Sequence, residues 1–192
     1  PRSTPLYSSA ASDVYKRQDY MTAYGLSSVG LRYFNAAGAD PEAEVGELRD
    51  KETHIVPLAI NAARQGKTFK IFGDKYPTED GTCVRDYVHV MDLADAHIKA
   101  LNYASEQLTS EVFNLGSGAP ASNKQLLDAV QKHTGKMNIE TWGNRPGDPA
   151  YLVADIDKAK NILQWEPKQS SIDNVVATAV QWYNKTHKKE IQ

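Results

Sequence analysis

Residues 71–97, IFGDKYPTEDGTCVRDYVHVMDLADAH, combine the end of one strand pattern, a polar loop, a second strand pattern and the beginning of a helix. The first strand pattern covers residues 69–72, and the Gly, Pro, Asp and Thr of residues 73–81 are typical of a turn-rich loop. Residues 87–90 alternate as a strand does, and Asp92 is a good N-cap for the helix that follows. This stretch therefore predicts the order strand, loop, strand, helix.

The same alternation of strands and helices continues on both sides of this stretch. Apolar runs bounded by glycines predict strands, and apolar spacing of three and four residues predicts helices. The strands are predicted at 28–34, 112–115 and 137–141, and the helices at 19–24, 54–65, 122–134, 156–163 and 172–187. Such an order predicts an α/β architecture, and no internal repeat or low-complexity linker divides it.

Composition excludes several classes of protein. The 192 residues are 41% apolar and 24% charged, and the net charge of −2 offers no electrostatic footprint for nucleic acid or an anionic membrane. The apolar runs are too short to span a bilayer. The single cysteine, Cys83, excludes an internal disulfide framework and a multi-thiolate metal site, so no metal is predicted. A reducing compartment, the cytoplasm, is the expected location.

The first 18 residues, PRSTPLYSSAASDVYKRQ, differ in character from the rest of the chain. They are rich in Ser, Pro and Ala, have neither helical nor strand periodicity, and lack the apolar run of a secretory signal. We interpret residues 1–18 as a disordered or unrelated segment, and residues 19–192 as the folded unit.

The sequence RYFNAAGADP, residues 32–41, ends a predicted strand with an aromatic pair, an amide and a glycine loop. Loops at the carboxyl edge of an open α/β sheet form its ligand-binding crevices, so Tyr33, Phe34 and Asn35 are candidate site residues. The alternative is a core strand with a tight turn, in which Asn35 only satisfies the loop backbone.

Two arginines lie in separate polar loops, Arg85 before a strand and Arg145 in NRPGDPA together with Asp148. A guanidinium engages phosphate oxygens bidentately, and a nearby carboxylate accepts from ribose or sugar hydroxyls. The alternatives are a surface pair of Arg85 with Asp80 or Asp86 and a local ion pair inside the second loop. Without a basic excess elsewhere, two such arginines favour a compact phosphorylated ligand over a nucleic acid.

The sequence contains none of the patterns typical of a catalytic or metal site. His89 and His97 lack metal-ligand spacing, and structural or surface roles are predicted for both. No GxGxxG or GxxGxxG follows a strand, because LGSG at residues 115–118 is too short, and no Tyr-x-x-x-Lys occurs. No catalytic residue is therefore assigned to this chain.

Five segments together resemble the UDP-glucose 4-epimerase family of extended short-chain dehydrogenases/reductases. They are RYFNAAGADP, HIVPLAI, IFGDKYPTEDGTCVRDYVHVMDLADAH, VFNLGSG and RPGDPA, in the order and at the spacing of that family, over residues 19–183. The resemblance implies the C-terminal part of an extended Rossmann-type fold, mainly its substrate-binding domain.

The resemblance also implies a reaction and a set of site residues. In this family, NAD bound in an N-terminal Rossmann domain takes a hydride from C4 of a UDP-hexose and returns it to the opposite face of the keto-sugar, while a Tyr-x-x-x-Lys pair supplies the base. The C-terminal domain holds UDP. The implied cofactor contact is Tyr33, and the implied substrate contacts are Phe34, Asn35, His54, Ile55, Lys70, Ile71, Phe72, Arg85, Tyr87, Arg145, Asp148 and Leu152.

The sequence departs from the family pattern at its beginning. The catalytic tyrosine and lysine would fall near Leu6 and Ala10, where neither is present, and the glycine-rich NAD motif would precede Pro1. We expect the chain to supply UDP-sugar binding, to be inactive alone, and to belong to a homodimeric NAD-dependent enzyme. The alternatives are a non-catalytic nucleotide-sugar-binding module and a sister nucleotide-sugar epimerase or dehydratase.

Overall fold

The computed structural model describes residues 9–187, and the side chains of residues 15–187. The helices of this part are α1 Ser9–Tyr24, α2 Ile55–Arg64, α3 Val90–Glu106, α4 Asn123–Thr134, α5 Asp157–Leu163 and α6 Ile172–Thr186. The strands are β1 Ser28–Tyr33, β2 Asn35–Ala37, β3 Phe69–Phe72, β4 Val84–Arg85, β5 Tyr87–His89, β6 Ser110–Leu115, β7 Ala121–Ser122, β8 Ile139–Trp142 and β9 Tyr151–Leu152. The α/β class is confirmed.

The stretch that contains β1 and β2 changes its pairing partner midway. β1 pairs in parallel with β6 over its whole length, and β2 pairs in parallel with β5. At the change, the N–H of Phe34 donates to the Leu115 carbonyl at 3.2 Å, and the N–H of Asn35 donates to the Asp86 carbonyl at 2.9 Å. Phe34 and Asn35 therefore lie where the stretch passes from β6 to β5, just after the carboxyl end of β1, and α/β sheets bind ligands outside the carboxyl ends of their strands.

The remaining strands are short and form two further sheets. β3 pairs in parallel with β8. β4 lies between antiparallel β7 and parallel β9, which puts Arg85 opposite Leu152. Because β9 begins directly after the loop that contains Arg145 and Asp148, this pairing brings the two predicted arginine loops together.

Two hydrophobic cores hold these elements. In the first, helices α2, α4 and α6 pack with β3 and β5 through residues such as Ile60, Leu126 and Val175. In the second, α3 and α5 pack on the β1–β6 pair around the fully buried Trp165, whose Nε1 donates to the Asp92 carbonyl at 2.9 Å. No helix of the described part is long and apolar enough to cross a bilayer.

The beginning of α3 differs from the sequence-based prediction. The N-cap is His89, whose Nδ1 accepts from the N–H of Met91 at 3.1 Å, and the prediction of Asp92 as the cap is wrong. The Asp92 carboxylate instead accepts from the backbone N–H groups of Lys168 and Gln169, both at 2.9 Å. It therefore links the first turn of α3 to the chain that follows α5, a role that local sequence could not indicate.

The predicted boundary at residue 18 falls inside a helix. Residues 1–8 lie outside the described part of the chain, while residues 9–18 form the first turns of α1. That residues 1–18 are disordered or unrelated to the rest of the chain stays a prediction.

The buried His89 predicts a pH dependence of stability. Burial lowers the pKa of its imidazole, and the Asp92 carboxylate opposes this shift without reversing it. An unfolded imidazole titrates near pH 6.5, so the unfolded chain takes up this proton first. The stabilisation from neutral His89 is full above that pH and is lost as the pH falls through the lower folded-state pKa, at a slope of up to about 1.4 kcal/mol per pH unit.

Thermal unfolding followed by circular dichroism between pH 7.5 and 5 measures this loss. The melting temperature of the wild-type chain should fall more steeply than that of His89→Gln, whose amide keeps a hydrogen-bonding group but does not titrate. Equal slopes in the two proteins would contradict the assignment to His89.

Candidate functional site

A cavity of about 960 Å³ opens where the chain passes from β1 to β2. Its walls come from the end of β2, the start of α2, strands β4 and β5, the loop after β8, and α6. It brings together eight of the predicted site residues, which are Phe34, Asn35, His54, Ile55, Arg85, Tyr87, Arg145 and Asp148. Residues from four separate stretches of sequence thus share one cavity.

Arg85 is held in place by the loop that contains Asp148. Its Nη1 donates to the Pro149 carbonyl at 2.8 Å and to the carbonyl of Val84 at 2.9 Å, and its Nη2 lies 3.9 Å from the Asp148 carboxylate. Asp86, one of the two partners considered from sequence, accepts backbone N–H groups elsewhere. The Arg85 side chain is only 14% exposed, and it lines the cavity.

Arg145 is placed by stacking. Its guanidinium carbon lies 3.7 Å from the centre of the Phe72 ring, and the Lys70 ammonium lies 3.9 Å from the centre of the Trp142 ring. Phe72 and Trp142 meet edge to face at 6.1 Å. These aromatic and cationic side chains alternate beside the cavity, an arrangement that suits a flat base next to a negatively charged group.

The beginning of α2 adds a further anion-binding feature. The first N–H groups of a helix have no partner inside it, and the side chain of the N-cap residue His54 makes no capping bond. The helix also begins at the cavity, since His54 and Ile55 both line it. The N-terminal end of the helix dipole and two guanidinium groups therefore converge on one space, which favours a phosphate or diphosphate.

Tyr87 lies on the floor of the cavity as a neutral phenol. Burial raises the pKa of its hydroxyl, and the positive charge of Arg85 opposes the shift only in part. The hydroxyl lies 3.5 Å from Oδ1 of Asn123, which also lines the cavity. Tyr87 is therefore suited to donate a hydrogen bond and not to remove a proton.

Five predicted site residues do not line the cavity. The side chain of Ile71 lies in the first hydrophobic core, because alternation along β3 sends Lys70 and Phe72 to the other face. Any contact of Ile71 with a ligand would be made by its backbone. Leu152 lies beside Arg85 in the sheet and is 46% exposed.

Tyr33, the predicted cofactor contact, lies at the carboxyl end of β1 and is 46% exposed. Its hydroxyl lies 3.0 Å from Nε2 of His97, and Nδ1 of His97 lies 2.7 Å from the Leu93 carbonyl. A contact of Tyr33 with a nicotinamide stays a prediction, and the described residues include no glycine-rich phosphate loop. NAD would supply hydride transfer when bound, and the residues present here provide at most one edge of its site.

The sequence did not indicate the wall formed by the loop before α2 and by the end of α6. This wall contains Glu47, Trp182, Tyr183, Thr186 and His187, and the Tyr183 hydroxyl donates to Oδ1 of Asn61 on α2 at 3.0 Å. The periodicity of α6 assigns its apolar positions to a core, and nothing in the sequence indicates that its last turns face a cavity. The contact between Trp182 and Glu47, 135 residues apart, exists only in the folded chain.

The fold is that of an α/β protein with a cavity at the strand ends, lined by two arginines and the start of a helix. The model of the NAD dependent epimerase/dehydratase family matches residues 15–116. A UDP-glucose 4-epimerase of Lacticaseibacillus casei is 50% identical over 163 residues, which are 84% of this chain and 49% of the relative. This chain belongs to the NAD dependent epimerase/dehydratase family.

Among solved structures, this chain is also similar to UDP-glucose 4-epimerases. A UDP-glucose 4-epimerase of Brucella ovis in complex with NAD matches with a TM-score of 0.82 and 40% identity, over 87% of this chain and 52% of that one. The enzyme of Bifidobacterium longum in complex with NAD+ and UDP matches with a TM-score of 0.79 and 30% identity, over 93% of this chain and 53% of that one. The chain thus spans about half the length of the relatives it matches.

Proposed function

We propose that this chain binds the UDP part of a UDP-hexose in the cavity between α2, β4 and the loop after β8. The observation that carries the proposal is the convergence of Arg85, Arg145 and the uncapped beginning of α2 on one space. Two guanidinium groups and a helix N-terminus match the charge of a diphosphate. Phe72 and Trp142 lie beside Arg145 and suit the uracil ring, and Asp148 suits the ribose hydroxyls.

We further propose that the whole protein is a UDP-glucose 4-epimerase that uses NAD and is homodimeric. The names of the similar proteins and the presence of NAD+ and UDP in the Bifidobacterium longum complex support the activity and the cofactor. The homodimer is an expectation from the family resemblance. The chain itself contains no Tyr-x-x-x-Lys, so we assign it nucleotide-sugar binding and expect no epimerase activity from it alone. A sister epimerase would differ in the hexose accepted near Leu152.

Isothermal titration calorimetry of the 192-residue chain with UDP, UDP-glucose, uridine and NAD tests the binding proposal. UDP and UDP-glucose should bind, and uridine should bind much more weakly because it lacks the diphosphate. NAD should give no binding heat. Equal binding of uridine and UDP would rule out a diphosphate site in this cavity.

The two arginines provide a quantitative prediction. Arg85→Ala and Arg145→Ala should each weaken UDP binding by about 1.5–3 kcal/mol, the usual contribution of a hydrogen bond to a charged group. Calorimetry of each variant measures the change. Lys67→Ala is the matched control, because this lysine is exposed and does not line the cavity. Unchanged affinity in both arginine variants would contradict their assignment to the diphosphate.

A further inference from the structure

Glu47, in the loop between β2 and α2, contacts the histidine at the start of α2. Its Oε1 lies 2.7 Å from Nδ1 of His54 and also 2.7 Å from Nε of Arg49. The neighbouring Glu52 accepts from the backbone N–H of His54 at 2.7 Å. Both the ring and the backbone of His54 are therefore held by carboxylates of the same loop.

The position of Glu47 is itself fixed from α6. Nε1 of Trp182 donates to the Glu47 carbonyl at 2.8 Å. The Trp182 ring also packs against Gly46 so closely that a Cβ there would lie 2.4 Å from its Cγ. The carboxylate therefore meets His54 from a backbone held by the tertiary structure, and not from a loose loop.

This contact limits the chemistry of the imidazole. A carboxylate accepts hydrogen bonds, so Nδ1 of His54 carries the proton, and Nε2 has no hydrogen-bond partner among the described residues. In the neutral ring Nε2 is an acceptor, which a phosphate oxygen does not match. In the imidazolium Nε2 is a donor, which suits an anion in the cavity that His54 lines.

We propose that His54, oriented by Glu47, takes up a proton when a diphosphate binds, so that nucleotide-sugar affinity increases as the pH falls. This inference rests on the proposed function, because it needs the diphosphate to reach the start of α2. Glu47 is a positioning residue in this scheme, and His54 is the group that contacts the ligand. Binding and protonation are then linked, and each favours the other.

The other charged groups around the cavity do not provide such a switch. Histidine is the side chain whose charge ordinarily changes between pH 5 and 8, so the histidines of the cavity are the candidates for this switch. The charged and titratable residues that line the cavity together with His54 are Glu47, Arg49, Asp50, Lys51 and Glu52 from its own loop, Arg85, Tyr87, Arg145 and Asp148 from other walls, and Tyr183 and His187 at the end of α6. His187 stacks on Tyr183 at 4.1 Å and is the one other histidine among them.

Calorimetric titration with UDP-glucose between pH 5.5 and 8.5 tests the inference. UDP-glucose is the appropriate probe because both ends of its diphosphate are esterified, whereas the terminal phosphate of UDP itself gains a proton near pH 6. Affinity should fall severalfold as the pH rises, by no more than about tenfold per pH unit for one proton. Repeating the titrations in buffers of different ionisation enthalpy should reveal net proton uptake.

Variants of the histidines and of Glu47 identify the residue that takes up the proton. His54→Asn should abolish the pH dependence and the proton uptake, and Glu47→Gln should reduce both by more than half. His133→Gln, remote on α4, should leave them unchanged. Pairing of His133 with Asp173 at 2.9 Å keeps it outside the cavity. An unaltered pH dependence in His54→Asn, or its loss in His187→Asn instead, would overturn the proposal.

A second measurement separates this inference from the binding proposal. In the ligand-free chain, nitrogen-15 NMR should find the neutral His54 ring protonated at Nδ1, and Glu47→Gln should shift it toward the Nε2 tautomer. A ring protonated at Nε2 in the wild-type chain would refute the Glu47 contact. UDP-glucose binding without pH dependence would overturn the inference alone, whereas absence of binding at every pH would overturn the proposed function and the inference with it.

Discussion

Gly38→Ala is expected to lower the free energy of unfolding by about 4 kcal/mol, the sum of a strained backbone and an overpacked contact. Gly38 has a φ of 85°, and a Cβ there would lie 2.6 Å from Cδ2 of His89. The imidazole cannot move away, because Nδ1 caps α3 and Nε2 lies 3.0 Å from Thr178 Oγ1. Urea unfolding at pH 7.5 measures the loss.

Gly66→Ala is the matched control for this prediction. Gly66 also has a positive φ, 64°, but a Cβ there would meet nothing within 4 Å. Its alanine variant should therefore lose only the conformational part, about 1 kcal/mol. Equal losses at the two positions would show that contact with His89 does not matter.

Asp86→Asn is expected to lower the free energy of unfolding by about 3 kcal/mol, although it is nearly isosteric. The Asp86 side chain is fully buried, and its two carboxylate oxygens accept from the N–H of Ser117 at 2.5 Å and the N–H of Ala154 at 3.0 Å. An asparagine offers one oxygen, so its amide group would face a second donor and leave that N–H unsatisfied. Chemical denaturation of the wild type and the variant measures the difference.

The substitution Asp86→Asn should disturb the candidate site as well as lower the stability of the fold. Asp86 lies between Arg85 and Tyr87 in sequence, and it connects the ends of β6 and β9 to β4 and β5. Asp95→Asn, which changes an exposed carboxylate 3.8 Å from Lys99 on α3, is the control and should cost less than about 0.5 kcal/mol. An Asp86→Asn variant as stable as this control would contradict the prediction.

Local patterns were sufficient for most elements of the fold. The strand at residues 69–72 is confirmed, and the helix predicted at 122–134 is found at Asn123–Thr134 with Ser122 as its N-cap, because glycines, caps and apolar spacing act within a few residues. The N-cap of α3 was misassigned. Aspartate is a common N-cap residue, but the Asp92 carboxylate accepts from the backbone N–H groups of Lys168 and Gln169, which are distant in sequence.

Some features of the candidate site could be found from the sequence, and others required the tertiary structure. By itself, the sequence determined the α/β class, the motifs that resemble nucleotide-sugar epimerases, and the two arginines assigned to a phosphorylated ligand. Only the tertiary structure placed Arg145 over Phe72, turned Ile71 into the core, and joined Glu47 to His54 and to Trp182. Secondary structure follows from short-range periodicity, whereas the direction of a side chain and its partner depend on which distant elements pack against it.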